Sequence, residues 1–389
     1  MSVARVEHGA PLVSIVISSF NYARFLSFAI DSALGQTYGN IEVIVVDDGS
    51  TDASRAIIAR YGERIHAVLK PNGGETSACN AGFAVARGDI VLFLDSDDML
   101  EAPAIERIVA ATGPGVSAVQ ISVATVDYSG QPLGSVLPVL PRNWTPAHIR
   151  RTVMRAGVYP YPPTSGNAYA RWFLDRVMPV PPDRIPQGLD GVLNGAAALH
   201  GDVVVLREVL ASYRFHGANM AANAAVPAER WNFYVSLDLP RNAFLLEEAR
   251  RLGIELTART FEREFYFAQY RLASRKLRPD LHPIADDTLA RAVARFLEAA
   301  AVAPDGSIRR VLLVAWGIAV ALAPTAVADH LVRLRFSSRS RSRRLDRLLK
   351  LLRLVRRIPT APHTGKGNAS TAPEAAGQDD PAWLIGWRE

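Results

Sequence analysis

The residues best suited to chemistry are acidic and follow apolar runs. Asp95-Ser96-Asp97 comes directly after the run Ile90-Val-Leu-Phe-Leu94. Two carboxylates two residues apart at a strand end can face one opening. Their oxygens suit a hard cation such as Mg²⁺ or Mn²⁺, which keeps some water and shares phosphate oxygens. Such an ion offsets charge on a departing diphosphate. The same triplet also reads as a solvated acidic turn, because Asp is common in turns. A second cluster, Asp47-Asp48-Gly49-Ser50-Thr51-Asp52, follows the run Ile41–Val46. A carboxylate there can accept from a base imide or a ribose hydroxyl. It also fits a turn in which Thr51 caps a helix that Asp52 opens.

These clusters need elements to hold them. Residues 12–18, 41–46, 65–69, 90–94 and 118–126 are short β-branched apolar runs and read as strands. Helical patterns over 25–34, 52–61, 76–86 and 102–111 lie between them. Alternation of this kind predicts an α/β fold with a mostly parallel sheet and helices on its faces. Ligands of such sheets bind beyond the carboxyl ends of the strands. The polar clusters 18–21, 47–50 and 95–98 all fall there.

Residues 128–188 are rich in Pro and Gly and carry few regular signals, as expected of a connecting region with loops, where binding residues are often found. A helix is expected over 188–201, a strand over 203–206, and a strand or loop over 210–219. From about residue 227 the pattern becomes helical and charged, including 245–252 and 288–301. The tail 359–389 has the composition of a disordered segment.

The formal charge of +6 is unevenly placed. Residues 331–357 hold eleven Lys/Arg against one Asp, Asp346, a net of +10 that leaves the remainder at −4. A mildly acidic body with one basic segment argues against nucleic-acid binding and for a basic attachment region. Leu345, Leu348, Leu349 and Leu352 recur at helical spacing within 343–357, the pattern of a helix lying on an anionic membrane surface. The same pattern also suits a solvated helix packed on the body. The uncharged stretch 311–328 is near the lower limit for a spanning helix and contains Pro324. An interfacial or buried helix is the favoured reading. The first apolar run is too short for a signal peptide, so the catalytic part is expected in the cytoplasm. The single cysteine, Cys79, reads as a helix-packing residue.

The run VSIVISSFNYARFLSFAIDSALGQTYGNIEVIVVDDGSTD and the block GGETSACNAGFAVARGDIVLFLDSDDML resemble the family 2 glycosyltransferases, almost continuously over residues 12–100. Weaker similarity continues through PTSGNAYARWFLDRV, GLDGVLNGAAALHGDVVVL and ASYRFHGAN, to about residue 220. The resemblance implies a GT-A fold over 1–225, with a nucleotide-sugar half at 10–127 and an acceptor half at 128–225. A helical extension over 226–358 would follow.

The resemblance also implies roles. Ser18 and Phe20 would line the base site, with Phe20 where Tyr is usual. Asp48 would bind the base or ribose. Asp95 would lie near the ribose or metal, and Asp97 would hold the metal, Mg²⁺ or Mn²⁺. Asp190 aligns with the catalytic base, although many members have Glu before it where this chain has Leu189. His216 matches a His that approaches the metal or phosphates. The implied activity is transfer of one sugar, with inversion, from a nucleotide-diphosphate sugar to a saccharide or lipid-linked acceptor in cell-surface polysaccharide or glycolipid synthesis. The processive signature Gln-x-x-Arg-Trp is absent, as are a P-loop and a GxGxxG fingerprint. The alternative is a catalytically inactive nucleotide-binding scaffold attached to the membrane. A nucleotidyltransferase would need a Gly-rich loop near the first strand, and none is present.

Overall fold

A computed structural model describes residues 9–138, 144–216, 229–302 and 307–336. Two compact units make up the chain: Met1–Ala124, Thr145–Ala147 and Tyr161–Tyr213 form the first, and Thr125–Trp144, His148–Pro160 and Arg214–Glu389 the second. The expected amphipathic helix 343–357 and tail 359–389 lie outside the described residues.

The elements follow the alternation anticipated from the sequence: β1 (Val13–Ser19), α1 (Ala23–Leu34), β2 (Ile41–Asp48), α2 (Ser54–Tyr61), β3 (His66–Lys70), α3 (Glu75–Val85), β4 (Ile90–Asp95), β5 (Met99–Leu100), α4 (Ala104–Ala111) and β6 (Val116–Val126). Then come β7 (Pro132–Leu137), α5 (Pro146–Ala156), β8 (Asn167–Ala170), α6 (Arg171–Val177), α7 (Leu189–His200) and β9 (Asp202–Arg214). The chain continues through α8 (Glu229–Arg251), α9 (Ala258–Glu262), α10 (Phe265–Leu277), α11 (Leu289–Val302), α12 (Ser307–Leu322) and α13 (Thr325–Phe336).

The sheet runs β3-β2-β1-β4-β8-β6-β9-β5. Its first four strands are parallel. Antiparallel pairing takes over at β4–β8 and continues through β6–β8 and β5–β9. Strands β1, β2 and β4 are buried on both faces, which is why they read as unbroken apolar runs, whereas the edge strand β3 is largely exposed. On one face α3 packs closely against β1 and β2. Gly82 makes that possible, because a Cβ there would stand 2.3 Å from Val16 Cγ1.

Several local expectations are revised. The region 128–188 holds β7, α5, β8 and α6, all short or amphipathic, so their signals were diluted by the intervening Pro and Gly. The two strand segments near 203 and 210 are one long strand, β9; the charged Arg207 and Glu208 in its middle are exposed and mimic a loop in the sequence. Thr51 does not cap α2. Its N–H and hydroxyl are both directed to Asn21 Oδ1, while Asp52 accepts from Ser54 N at 2.9 Å and from Ala23 N, at the start of α1, at 3.0 Å.

The second unit is largely helical. Its core is aromatic, built on Trp231, Tyr234, Tyr270, Phe296 and Phe336. Arg271 makes a two-pronged pair with Asp287, 2.8 Å at each prong, and a further pair with Glu262. The stretch 311–328 is divided between α12 and α13 at Pro324, and no helix among the described residues is long and apolar enough to cross a membrane.

Candidate active site

Strand register brings the acidic segments to one rim. Ser18 stands opposite Asp95, Ser19 opposite Asp47, and Asp48 opposite Lys70. Parallel neighbours end at one level, so their C-terminal polar residues emerge side by side. Phe20, just past β1, is 44% exposed. Ser18 is half-buried, and its hydroxyl hydrogen-bonds the Cys79 thiol.

Asp47 and Asp48 are both buried, and both organise turns. Asp47 Oδ2 accepts from Ser50 N at 3.1 Å and from Arg55 Nε at 2.7 Å. The Asp48 carboxylate accepts from Gly73 N and Gly74 N, the latter at 2.8 Å, and is paired with the Lys70 ammonium. Gly74 has φ +86 and precedes α3, a left-handed position that Gly fills without strain.

Beyond β4, Asp95, Asp97 and Asp98 converge, with one carboxylate oxygen from each lying within 4.8 Å of the others. Ser165 supports this turn from a distant part of the chain. Its hydroxyl donates to Asp98 Oδ2 at 2.6 Å and accepts from Asp95 N at 3.1 Å. Ser165 is itself fixed by Asn167, whose amide donates to the carbonyls of Pro162 and Pro163. Burial, then the neighbouring charges of Asp98, Asp97, Glu75 and Asp190, push the Asp95 carboxyl well above the usual carboxylate range. Burial and the charges of Asp95, Asp97 and Asp98 also raise the phenols of Tyr22 and Tyr213.

Asp190 lies in the first turn of α7, half-buried, with Oδ1 accepting from Gly191 N at 2.7 Å. Glu75, which the sequence reading passed over, reaches the same helix start from α3. Its carboxylate accepts from Gly188 N at 3.1 Å and Leu189 N at 3.3 Å. Enclosure, then the charge of Asp190, raises Glu75 to about 7. Asp95, Asp97 and Asp190 therefore share one neighbourhood, joined by Glu75 and Asp98. His216 follows β9 at the beginning of the second unit and is half-buried.

A set of three convergent carboxylates, one of them pushed up by burial and by the charges of the others, fits a divalent cation that prefers oxygen. The cation would replace like-charge repulsion with attraction. In sequence Glu75 looks like an ordinary acid in the first turn of a helix, and Ser165 like one polar residue among prolines. Neither carried a signal.

Comparison with known proteins agrees with this architecture. Residues 14–176 match the family model for glycosyl transferase family 2. An uncharacterized glycosyltransferase of Nostoc sp. is 37% identical over 219 residues, covering 55% of this chain and 67% of that protein. Chondroitin synthase of Pasteurella multocida is 45% identical over 102 residues, 25% of this chain and only 11% of that much longer protein. Among solved structures, S. aureus TarS 1–349 in complex with UDP aligns over 83% of this chain and 90% of that one, with TM-score 0.50 and 18% identity, a likeness of fold. The acidic rim on a GT-A sheet and the relatives that share its sequence lead to one conclusion: this chain belongs to the family 2 glycosyltransferases.

Proposed function

We propose that the protein moves one sugar, with inversion, from a nucleotide-diphosphate sugar to a saccharide or lipid-linked acceptor. The observation that carries this reading is the gathering of Asp95, Asp97, Asp98, Glu75 and Asp190 at one sheet rim. Such crowding costs stability in an empty site and is offset when positive charge enters.

In this reading Asp95 and Asp97 hold a divalent cation, Mg²⁺ or Mn²⁺, with Asp98 beside them. Bound there, the cation supplies neutralising charge to the diphosphate leaving group. Phe20 offers an exposed ring for the base, with Ser18 at its side. Asp48 shapes the turn at Gly73-Gly74 and, with its partners rearranged, serves the base or ribose. Asp190 takes the proton from the acceptor hydroxyl as that oxygen attacks the anomeric carbon. Displacement in one step needs no protein nucleophile. The similarity to a polysaccharide synthase supports an acceptor of saccharide type, and the basic segment 343–357 supports attachment to the inner face of an anionic membrane, near lipid-linked acceptors.

The test is direct. Full-length protein is incubated with Mn²⁺ and a panel of nucleotide sugars, with lipid extract as acceptor, and released nucleotide diphosphate is measured. Release is expected from the wild type and should be lost in Asp97→Ala and Asp190→Ala, with both variants still folded. Undiminished release by Asp190→Ala would remove its role as base. Donor binding without release in the wild type would favour the inactive scaffold.

A further inference from the structure

The second unit carries a surface that sugar transfer leaves unexplained. Helix α12 is fixed to the core on one face by Leu313, Gly317 and Val320, all buried. The fit is close, since a Cβ at Gly317 would stand 2.0 Å from Phe296 Cε1. The helix therefore cannot rotate to hide its other face without opening the core. That other face is formed by Val311, Ala315, Ile318, Ala319 and Leu322, which recur at the helical period and are all exposed. Val311 is 67% exposed and Leu322 is 81% exposed. The turn into α13 continues the surface with Pro324, Ala326 and Val327. No residue from 311 to 328 carries a formal charge.

An outward helix face in water is ordinarily polar, and a contiguous apolar strip marks a surface that something else covers. The charge of the chain indicates what that is. Past α13, residues 337–357 hold nine Lys/Arg against one acid, Asp346, whereas the chain outside 331–357 is net negative. A body of that sign is repelled by an anionic bilayer unless the approach is made at its basic end. In sequence the apolar strip precedes that end by only the length of α13. Apolar side chains that enter the acyl boundary beside cations that meet headgroups make up the two-part signal by which proteins lie on membranes.

We propose that the outer face of α12, Val311-Ala315-Ile318-Leu322 with the Pro324–Val327 turn, is a wedge that inserts into the interface of an anionic bilayer. It works together with the basic segment that follows. The inference rests on the membrane attachment read above but is independent of the sugar chemistry.

The experiment is partitioning of the full chain onto vesicles of phosphatidylcholine alone and of phosphatidylcholine with phosphatidylglycerol. The wild type should bind the second and hardly the first. Replacing Val311, Ile318 and Leu322 together with Ser leaves charge unchanged and should weaken binding at least about tenfold, since buried apolar area sets this part of the affinity. A basic-segment variant, Arg353→Gln/Arg356→Gln/Arg357→Gln, should instead lose the salt-sensitive part. Leu322→Cys gives a second readout. Cys79 is buried and is the chain's only cysteine, so a polarity-sensitive dye attaches at 322 and should shift to the blue on anionic vesicles. Equal binding by the Ser variant, with an unshifted dye, overturns the wedge and leaves electrostatic attachment standing. No binding by the wild type overturns both. A wild-type dimer that the Ser variant converts to monomer assigns the face to a second copy and also overturns the proposal.

Discussion

Glu75 accepts the backbone N–H of Leu189 at 3.3 Å, across 114 positions of sequence, and so fastens the start of α7 to the start of α3. On either side of Glu75, Gly74 N donates to Asp48 and Thr76 N donates to Pro186 O. Four successive residues, 73–76, thus connect the turn after β2 with the helix that carries Asp190. A carboxylate at a helix N-terminus also meets unpaired N–H groups and the positive end of the dipole, which steadies the helix start.

This placement makes stability depend on pH. Glu75 is raised from 4.5 to about 7, by enclosure first and by Asp190 second; Asp95 and Cys79 also feel its charge. Between those values the native protein holds a proton that the unfolded chain has lost, so stability falls as pH climbs through the window and levels off above it. Glu75→Gln cannot titrate. In metal-free buffer its advantage over the wild type should grow between about pH 5 and about pH 8, by roughly 1–3 kcal/mol. Thermal midpoints across that range check it; parallel curves would mean that Glu75 does not titrate there.

Removing a charge from the acidic cluster should help folding and harm metal binding. Asp97→Asn relieves repulsion with Asp95 and Asp98, so the metal-free variant should gain about 1 kcal/mol. The same variant should lose most of the rise in thermal midpoint that Mn²⁺ confers on the wild type, because ligand that binds only the native state stabilises by mass action. Differential scanning with and without Mn²⁺ separates the two effects.

Ser165→Ala should cost about 1–3 kcal/mol, because the buried Asp98 carboxylate loses a 2.6 Å donor and Asp95 N loses its acceptor. Asp98 and the 95–98 turn would then be held less firmly. Mn²⁺ titration of the variant should give a weaker apparent affinity, with the fold retained by circular dichroism.

Gly82→Ala should destabilise by about 1–3 kcal/mol through overpacking. Its new methyl would meet Val16 Cγ1 at 2.3 Å and Val46 Cγ2 at 3.1 Å, both on buried strands that cannot yield. Gly113→Ala, where nothing lies within 4 Å, is the matched control and should be close to neutral. Urea unfolding of the pair reads the difference.

What the sequence determined by itself was local and periodic. Apolar β-branched runs, helical spacing and acidic residues at the run ends were enough for the parallel half of the sheet and for the rim where Asp48, Asp95 and Asp97 lie. They sufficed because a strand buried on both faces leaves an unbroken apolar signature, and parallel neighbours end at one level. Tertiary structure alone decided the rest. It brought Ser165 to Asp95 across 70 residues and Glu75 to Leu189 across 114. It joined the segments near 203 and 210 into β9, and it turned an apolar face of α12 outward. The two hydrogen bonds have no period to read, and the helical period of α12 does not say which of its faces the core covers. A hydrogen bond between distant segments depends on where two backbones pass, and that is set by packing of the whole unit rather than by the residues on either side.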